Sequence, residues 1–231
     1  MQIIPVIDLK GGTVVHARMG ERALYRPIET PLAQGSDPVA VAGGLLSVHA
    51  FSTLYVADLD AIEGSGENRA ALRRVKQAFP QLTLWVDSGI ADFDRASDWL
   101  QQGFGHLVIG SETQSDAALA YHLAENAKVV LSLDFRGPRF LGPPTLLEQS
   151  DRWPQRVIAM TLERVGSHAG PDLVRLRALK AAAKTRDVFA AGGVRDAADL
   201  RALAQAQIAG ALVASSLHDG RVTAVDLQQM A

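Results

Sequence analysis

Two aspartates set in matching surroundings are the residues of this 231-residue chain best placed to do chemistry. Asp8 closes the apolar run Ile3-Ile4-Pro5-Val6-Ile7 and precedes Leu9-Lys10-Gly11. Asp134 closes Val129-Val130-Leu131-Ser132-Leu133 and precedes Phe135-Arg136-Gly137. A charge ending an apolar run is costly unless it is satisfied or used. Opposed carboxylates in one cleft can hold different protonation states, one acting as base and the other as acid. The plainer alternative is a pair of turn caps, or partners for Lys10 and Arg136, the two bases beside them and candidate substrate contacts. Asp58 and Thr161 stand at the ends of two further apolar runs, placed to bind a ligand or orient an aspartate.

A second group is made of glycines. Gly89, Gly110 and Gly192-Gly193 each fall where an apolar run gives way to a helical pattern. Backbone N–H groups and a helix dipole can converge there on an anion. One such glycine need only make a tight turn. Their repetition points to phosphate, with a bound group at each side of one mouth. The six histidines have no metal-ligand spacing, and Ser215-Ser216 lacks a nucleophile elbow.

These residues need elements to hold them. Strand-like and helix-like patterns alternate along the chain, which argues for βαβ units and a parallel sheet. Eight strands are expected, near residues 3–8, 53–58, 82–86, 106–110, 129–134, 156–161, 187–191 and 211–214, each followed by a helix. Short apolar runs read as strands buried on both faces, with chemistry at their C-terminal ends. Asp37-Pro38, Asn68, Asp172 and Thr223 are expected helix starts. Thr13–Ala17 reads as a short added strand, 18–36 as a long loop suited to a lid, and 137–144 as a surface excursion.

Gly89–Ser111 overlays Gly193–Ser215 without a gap, pairing Asp92 with Asp196 and Gln101 with Gln205. The repeat predicts a single (β/α)8 barrel over residues 1–231 with pseudo-twofold halves, Asp8 and Asp134 facing each other across one mouth. An open doubly wound sheet is the alternative, but it would offer one glycine-rich fingerprint near the first strand.

Composition narrows the partners. With 48% hydrophobic residues the chain can bury a large core, and a net charge of −2 gives no electrostatic case for nucleic acid or an anionic membrane. No apolar run approaches the roughly 18 residues of a membrane span. With no cysteine, thiolate metal sites are excluded, and a soluble cytoplasmic protein is expected. Oligomeric state is not legible.

On these residues the chain resembles the HisA/HisF family of histidine-biosynthesis barrels. The likeness rests on Ile3–Gly12, Asp58-Leu59-Asp60, Val108–Ser111 and Ala191–Val194. The opening Ile-Asp-Leu-Lys is closer to the family's ProFAR isomerase than to its cyclase. The resemblance implies an Amadori-type conversion of a phosphorylated aminoaldose to an aminoketose without a cofactor or metal. It gives Asp8 as the general base at sugar C2 and Asp134 as the acid that helps open the ring. Thr161 matches a family threonine and would be the third catalytic residue, while Gly89, Gly110, Ser111, Gly193 and Ser215 would hold phosphates. The chain departs from the family at Asp87-Ser88-Gly89, where three glycines are usual, and this places a carboxylate where a phosphate would approach. It departs also at Val165-Gly166, at Ala214, and in the 18–28 and 136–144 loops. A divergent paralogue with another phosphorylated substrate, and a non-catalytic ligand-binding barrel, are the rival readings.

Overall fold

A computed structural model describes residues 1–230. Eight parallel strands close on themselves: β1 (Gln2–Lys10), β2 (Thr53–Asp58), β3 (Thr83–Asp87), β4 (Gly105–Gly110), β5 (Val129–Arg136), β6 (Arg156–Thr161), β7 (Asp187–Ala191) and β8 (Gly210–Val213). Neighbours in sequence pair throughout, and β8 returns to β1 with Gln2 opposite Gly210 and Pro5 opposite Val213. Helical segments lie between the strands, so the expected (β/α)8 barrel is the fold.

The period of two along each strand sorts the side chains. Ile7, Leu9, Leu54, Val56, Leu84, Val86, Leu131 and Leu133 face the helices and form the larger core. Ile4, Tyr55, Trp85, Val108, Val130, Ile158, Phe189 and Leu212 fill the barrel. Trp85 meets Phe189 edge to face, ring centroids 4.9 Å apart, and plugs the interior. The same alternation brings Asp8 onto the face of Ile4 and Val6, Asp87 onto that of Trp85, and Asp134 onto that of Val130 and Ser132. Three aspartates therefore top the interior at the C-terminal ends of odd-numbered strands.

Helix starts follow the sequence closely. Asp37 Oδ1 accepts from the N–H groups of Val39 and Ala40 before the helix Pro38–Val48, and Asp172 accepts from Arg175 N before Leu173–Ala183. Thr223 and Asp226 form a reciprocal capping box. Asn68 precedes Arg69–Ala78 but makes no side-chain cap. Its amide donates to Asp58 and Asp60 instead.

Two segments differ from expectation. The 18–36 stretch is not structureless: it holds a 3-10 turn at Arg22–Leu24 and a short strand, Arg26–Pro27, paired with Val15-His16. It crosses the mouth, tied to the far rim by Met19 N donating to the Val165 carbonyl (2.8 Å) and by an Arg22–Glu112 ion pair. The 137–144 excursion turns back as Arg139–Leu141, an antiparallel strand on the end of β5. Among the described residues, no helix is long and apolar enough to cross a membrane.

Candidate active site

A cleft of about 1010 Å³, open solvent at its mouth included, lies over the C-terminal ends of the strands. Asp8, Asp87 and Asp134 all line it, with Tyr55 on its floor and Arg22, Arg136 and Arg164 around it.

The three carboxyls differ in their surroundings. Asp8 is partly exposed, and among the described residues its carboxylate accepts no hydrogen bond. Burial raises its pKa to about 7 against the opposing pull of Arg22. Asp134 is buried and held by hydrogen bonds: Ser132 Oγ donates at 2.7 Å and Glu112 N at 3.1 Å. Burial raises its pKa to about 6, the Ser132 bond opposing. Asp87 is 8% exposed; burial first and the Asp134 charge second raise it to about 7. These two crowd the bare Gly110 backbone. A Cβ there would lie 2.9 Å from Asp87 Oδ2 and 3.5 Å from Asp134 Oδ2. Groups titrating near neutrality in a shared cleft suit proton transfer.

The glycine positions separate into two kinds. Gly192, Gly193, Ala214 and Ser215 line one end of the cleft, beside Arg164 and His168. Gly193 sits at φ +91°, and a Cβ there would be driven into the Gly170 carbonyl oxygen. Among the described residues, the N–H groups of Gly193 and Ser216 have no acceptor.

Their counterparts in the first half are occupied. Gly89 N donates to Asp87 Oδ1 at 3.0 Å, and Glu112 N donates to Asp134 Oδ2. Gly89, Gly110 and Ser111 are not part of the cleft wall. The Ser111 hydroxyl accepts from Asp134 N at 2.9 Å and lies 2.7 Å from the Leu141 carbonyl, which secures the β5 hairpin. At this end, where a phosphate cradle is expected, protein carboxylates take the N–H groups. Two like unit charges about 4 Å apart repel by about 4 kcal/mol at an effective dielectric of about 20, so a phosphate beside an ionised Asp87 is opposed.

Three further expected site residues have partners in the scaffold. Lys10 Nζ pairs with Glu63 at 3.0 Å rather than turning inward. Asp58 is buried, accepting from Ala61 N and from both Asn68 N and Nδ2. Together with Gly11 N to Asp60 Oδ2 and Gly12 N to Asn68 Oδ1, these bonds tie the first turn to the next loop. Thr161 points out of the cleft, because the inward face of β6 carries Ile158 and Met160. Its hydroxyl accepts from Arg175 Nη1 at 3.1 Å. Arg175 lies over the Phe135 ring, 4.4 Å from its centroid. Arg136 does line the cleft, its Nη2 3.5 Å from the Gly20 carbonyl oxygen.

Tyr55, Glu112 and Arg164 escaped sequence reasoning. Tyr55 shares a strand face with Ala57 beside the Asp8 register, so the period of two could have found it. Glu112 and Arg164 sit in short 3-10 turns after their strands, with no such signal. His168 lines the cleft, whereas His106, near the start of β4, stacks on Trp85 at the opposite end of the barrel.

A sequence profile described as "Histidine biosynthesis protein" matches residues 2–223. The isomerase of 1-(5-phosphoribosyl)-5-((5-phosphoribosylamino)methylideneamino)imidazole-4-carboxamide (ProFAR) from Listeria monocytogenes is 29% identical over 244 residues, covering 100% of this chain and 98% of its own. The corresponding protein of Halorhodospira halophila is 29% identical over 243 residues, covering 95% and 93%. An uncharacterized protein of Methanocaldococcus jannaschii is 27% identical over 237 residues, covering 100% and 97%. With the profile spanning nearly the whole barrel, the chain belongs to the histidine biosynthesis protein family.

Proposed function

We propose that this protein is an aldose–ketose isomerase of the ProFAR isomerase type, acting on a phosphorylated aminosugar by paired-aspartate acid–base catalysis. The observation that carries the reading is the placement of Asp8 and Asp134, on strands one and five, in the wall of one cleft. Asp8 has free oxygens and a pKa near 7, so it is able to take the proton from sugar C2. Asp134, fixed by Ser132 and Glu112, serves ring opening and returns a proton. Burial raises the Asp134 pKa to about 6 against these hydrogen bonds, so a protonated fraction near neutrality supplies the acid. A phosphate at the Gly192-Gly193 and Ser215 end would anchor the sugar and align its C2 with Asp8.

ProFAR is the named candidate substrate. Asp87 supports the second reading, a relative that retains the chemistry on another phosphorylated aminosugar, and the full-length match to an uncharacterized relative is compatible with it. The test is to incubate the protein with ProFAR and other phosphorylated aminoaldoses in heavy water and follow exchange at C2 together with turnover. Wild type should exchange and convert at least one of them, and Asp8→Asn should do neither. No exchange with any of them rejects the isomerase reading.

A further inference from the structure

We infer that the Arg22–Glu112 ion pair is a positioning device that polarises the cleft. It crosses the mouth with its cation end toward Asp8 and its anion end at Asp134, and so biases the two carboxyls toward opposite roles, base and acid. The pair adds two positioning residues to the paired-aspartate reading, on which this inference rests.

Arg22 and Glu112 line the same cleft as Asp8, Asp87 and Asp134. Among the described residues theirs is the one ion pair with both members in the cleft wall. Arg22 sits on the 3-10 turn of the segment that crosses the mouth. Its backbone is held on the strand-one side, where Lys10 Nζ lies 3.5 Å from its carbonyl oxygen. Its guanidinium reaches Glu112, in the turn after β4. Glu112 in turn grips the next strand, its N–H donating to Asp134 Oδ2 at 3.1 Å. A fully exposed pair would act as a weak tether and little more. These side chains are only 27% and 23% exposed, so their charges act through little water.

The groups around the two carboxyls fit this polarity. Burial raises Asp8, and the Arg22 charge opposes it. Tyr25 and Tyr55 face Asp8 from the cleft, and burial keeps both phenols protonated. Behind Asp8, His16, His218, Glu29 and Asp219 line a smaller pocket, where burial lowers both histidines and leaves them uncharged near neutrality. Asp134 is raised by burial, lowered by the Ser132 hydroxyl and raised again by the Glu112 charge. After burial and the Asp134 charge, Asp87 meets both ends of the pair, Glu112 raising it and Arg22 lowering it. The other rim cations are engaged elsewhere: Arg136 Nη2 lies 3.5 Å from the Gly20 carbonyl oxygen, and Arg164 donates to the Gly170 carbonyl at 2.8 Å. His168 accepts from Arg221 at 2.6 Å. Surroundings that push two carboxyls in opposite directions are what assign a base and an acid at one pH.

Carboxyl carbon-13 NMR titration of the ligand-free protein tests this without turnover. Arg22→Gln should raise the Asp8 midpoint by about half a pH unit or more, and Glu112→Gln should lower that of Asp134 by as much. Arg22→Lys keeps the charge and should leave Asp8 near its wild-type midpoint. A tether alone gives the opposite sign at Asp8, because loosening the segment hydrates the cleft and lowers a midpoint that burial had raised. Combining Arg22→Glu with Glu112→Arg restores a tie with its polarity reversed, so Asp8 should rise and Asp134 should fall. Wild-type midpoints in that double variant overturn the inference. So does an Asp8 midpoint that falls or stays in Arg22→Gln, or an Asp134 midpoint unmoved in Glu112→Gln. The isomerase reading fails separately, by absence of C2 exchange, whatever the midpoints do.

Discussion

The two halves of the barrel share a backbone plan but use it differently. Asp92 caps the helix Phe93–Gln101 as Asp196 caps Ala197–Gln205, and Gly89 and Gly193 both adopt positive φ. In the first half the backbone donors that follow the strands are spent on Asp87 and Asp134. In the second, Ala191 stands where the first has Asp87, and Gly193 and Ser216 N–H have no acceptor among the described residues, Gly193 lying in the cleft wall. One side chain, Asp87, thus takes a turn N–H that its counterpart Ala191 cannot. Each half still contributes one aspartate, Asp8 or Asp134, to the cleft wall.

The largest test of that symmetry is removal of either carboxylate. Asp8→Asn and Asp134→Asn should each lower kcat by about 10² to 10⁴, the range of a positioned proton-transfer group, with circular dichroism unchanged. If only one of them matters, the pairing is broken.

Glycine replacement sharpens the difference between the ends. Gly193→Ala should raise the dissociation constant for inorganic phosphate about tenfold, since its Cβ meets the Gly170 carbonyl and distorts the open turn. Gly89→Ala should leave phosphate affinity within about twofold. It should instead destabilise the fold by about 1–3 kcal/mol, because its Cβ would lie 2.8 Å from Ile62 Cα at φ +62°. Dialysis and chemical denaturation separate the two effects.

A pH profile reads the carboxylates together. Asp8 and Asp134 have raised pKa values of about 7 and about 6, so kcat/KM should be bell-shaped with limbs near those values. The limbs belong to the pair rather than to either residue. A profile flat between pH 5 and 8 would contradict their involvement.

The smallest effect concerns stability. The folded pKa of Asp87, about 7, lies above its unfolded value of 3.8, so the folded state binds the proton more tightly. Its contribution is fully present below about pH 4 and is lost as pH rises through about 7. Asp87→Asn should therefore stabilise the protein at pH 8 by about 1–3 kcal/mol relative to its effect at pH 4. Equal effects at both pH values would show that Asp87 does not titrate in this range.

Much of the barrel was legible because its signals are local and repeated. Apolar runs set the eight strands, and Asp37, Asp172 and Thr223 mark helix starts through bonds spanning two or three residues. The inward direction of Asp8 and Asp134 follows from a period of two. What was not legible depended on distant partners. Lys10 is claimed by Glu63, and Thr161 by Arg175; neither pairing has a sequence signature. A strand-end carboxylate such as Asp58 reads alike whether a substrate or the Asn68 amide satisfies it. Asp87 was legible as an obstacle to phosphate. That it shares a cleft wall with Tyr55 became visible only when strands two and three were placed together.

The asymmetry of the two ends can be observed at the backbone itself. In an amide proton–nitrogen NMR titration with inorganic phosphate, Gly193 and Ser216 should shift saturably while Gly89 and Glu112 stay in place. Parallel saturable shifts at all four amides would mean that both halves bind the anion, and would contradict the account.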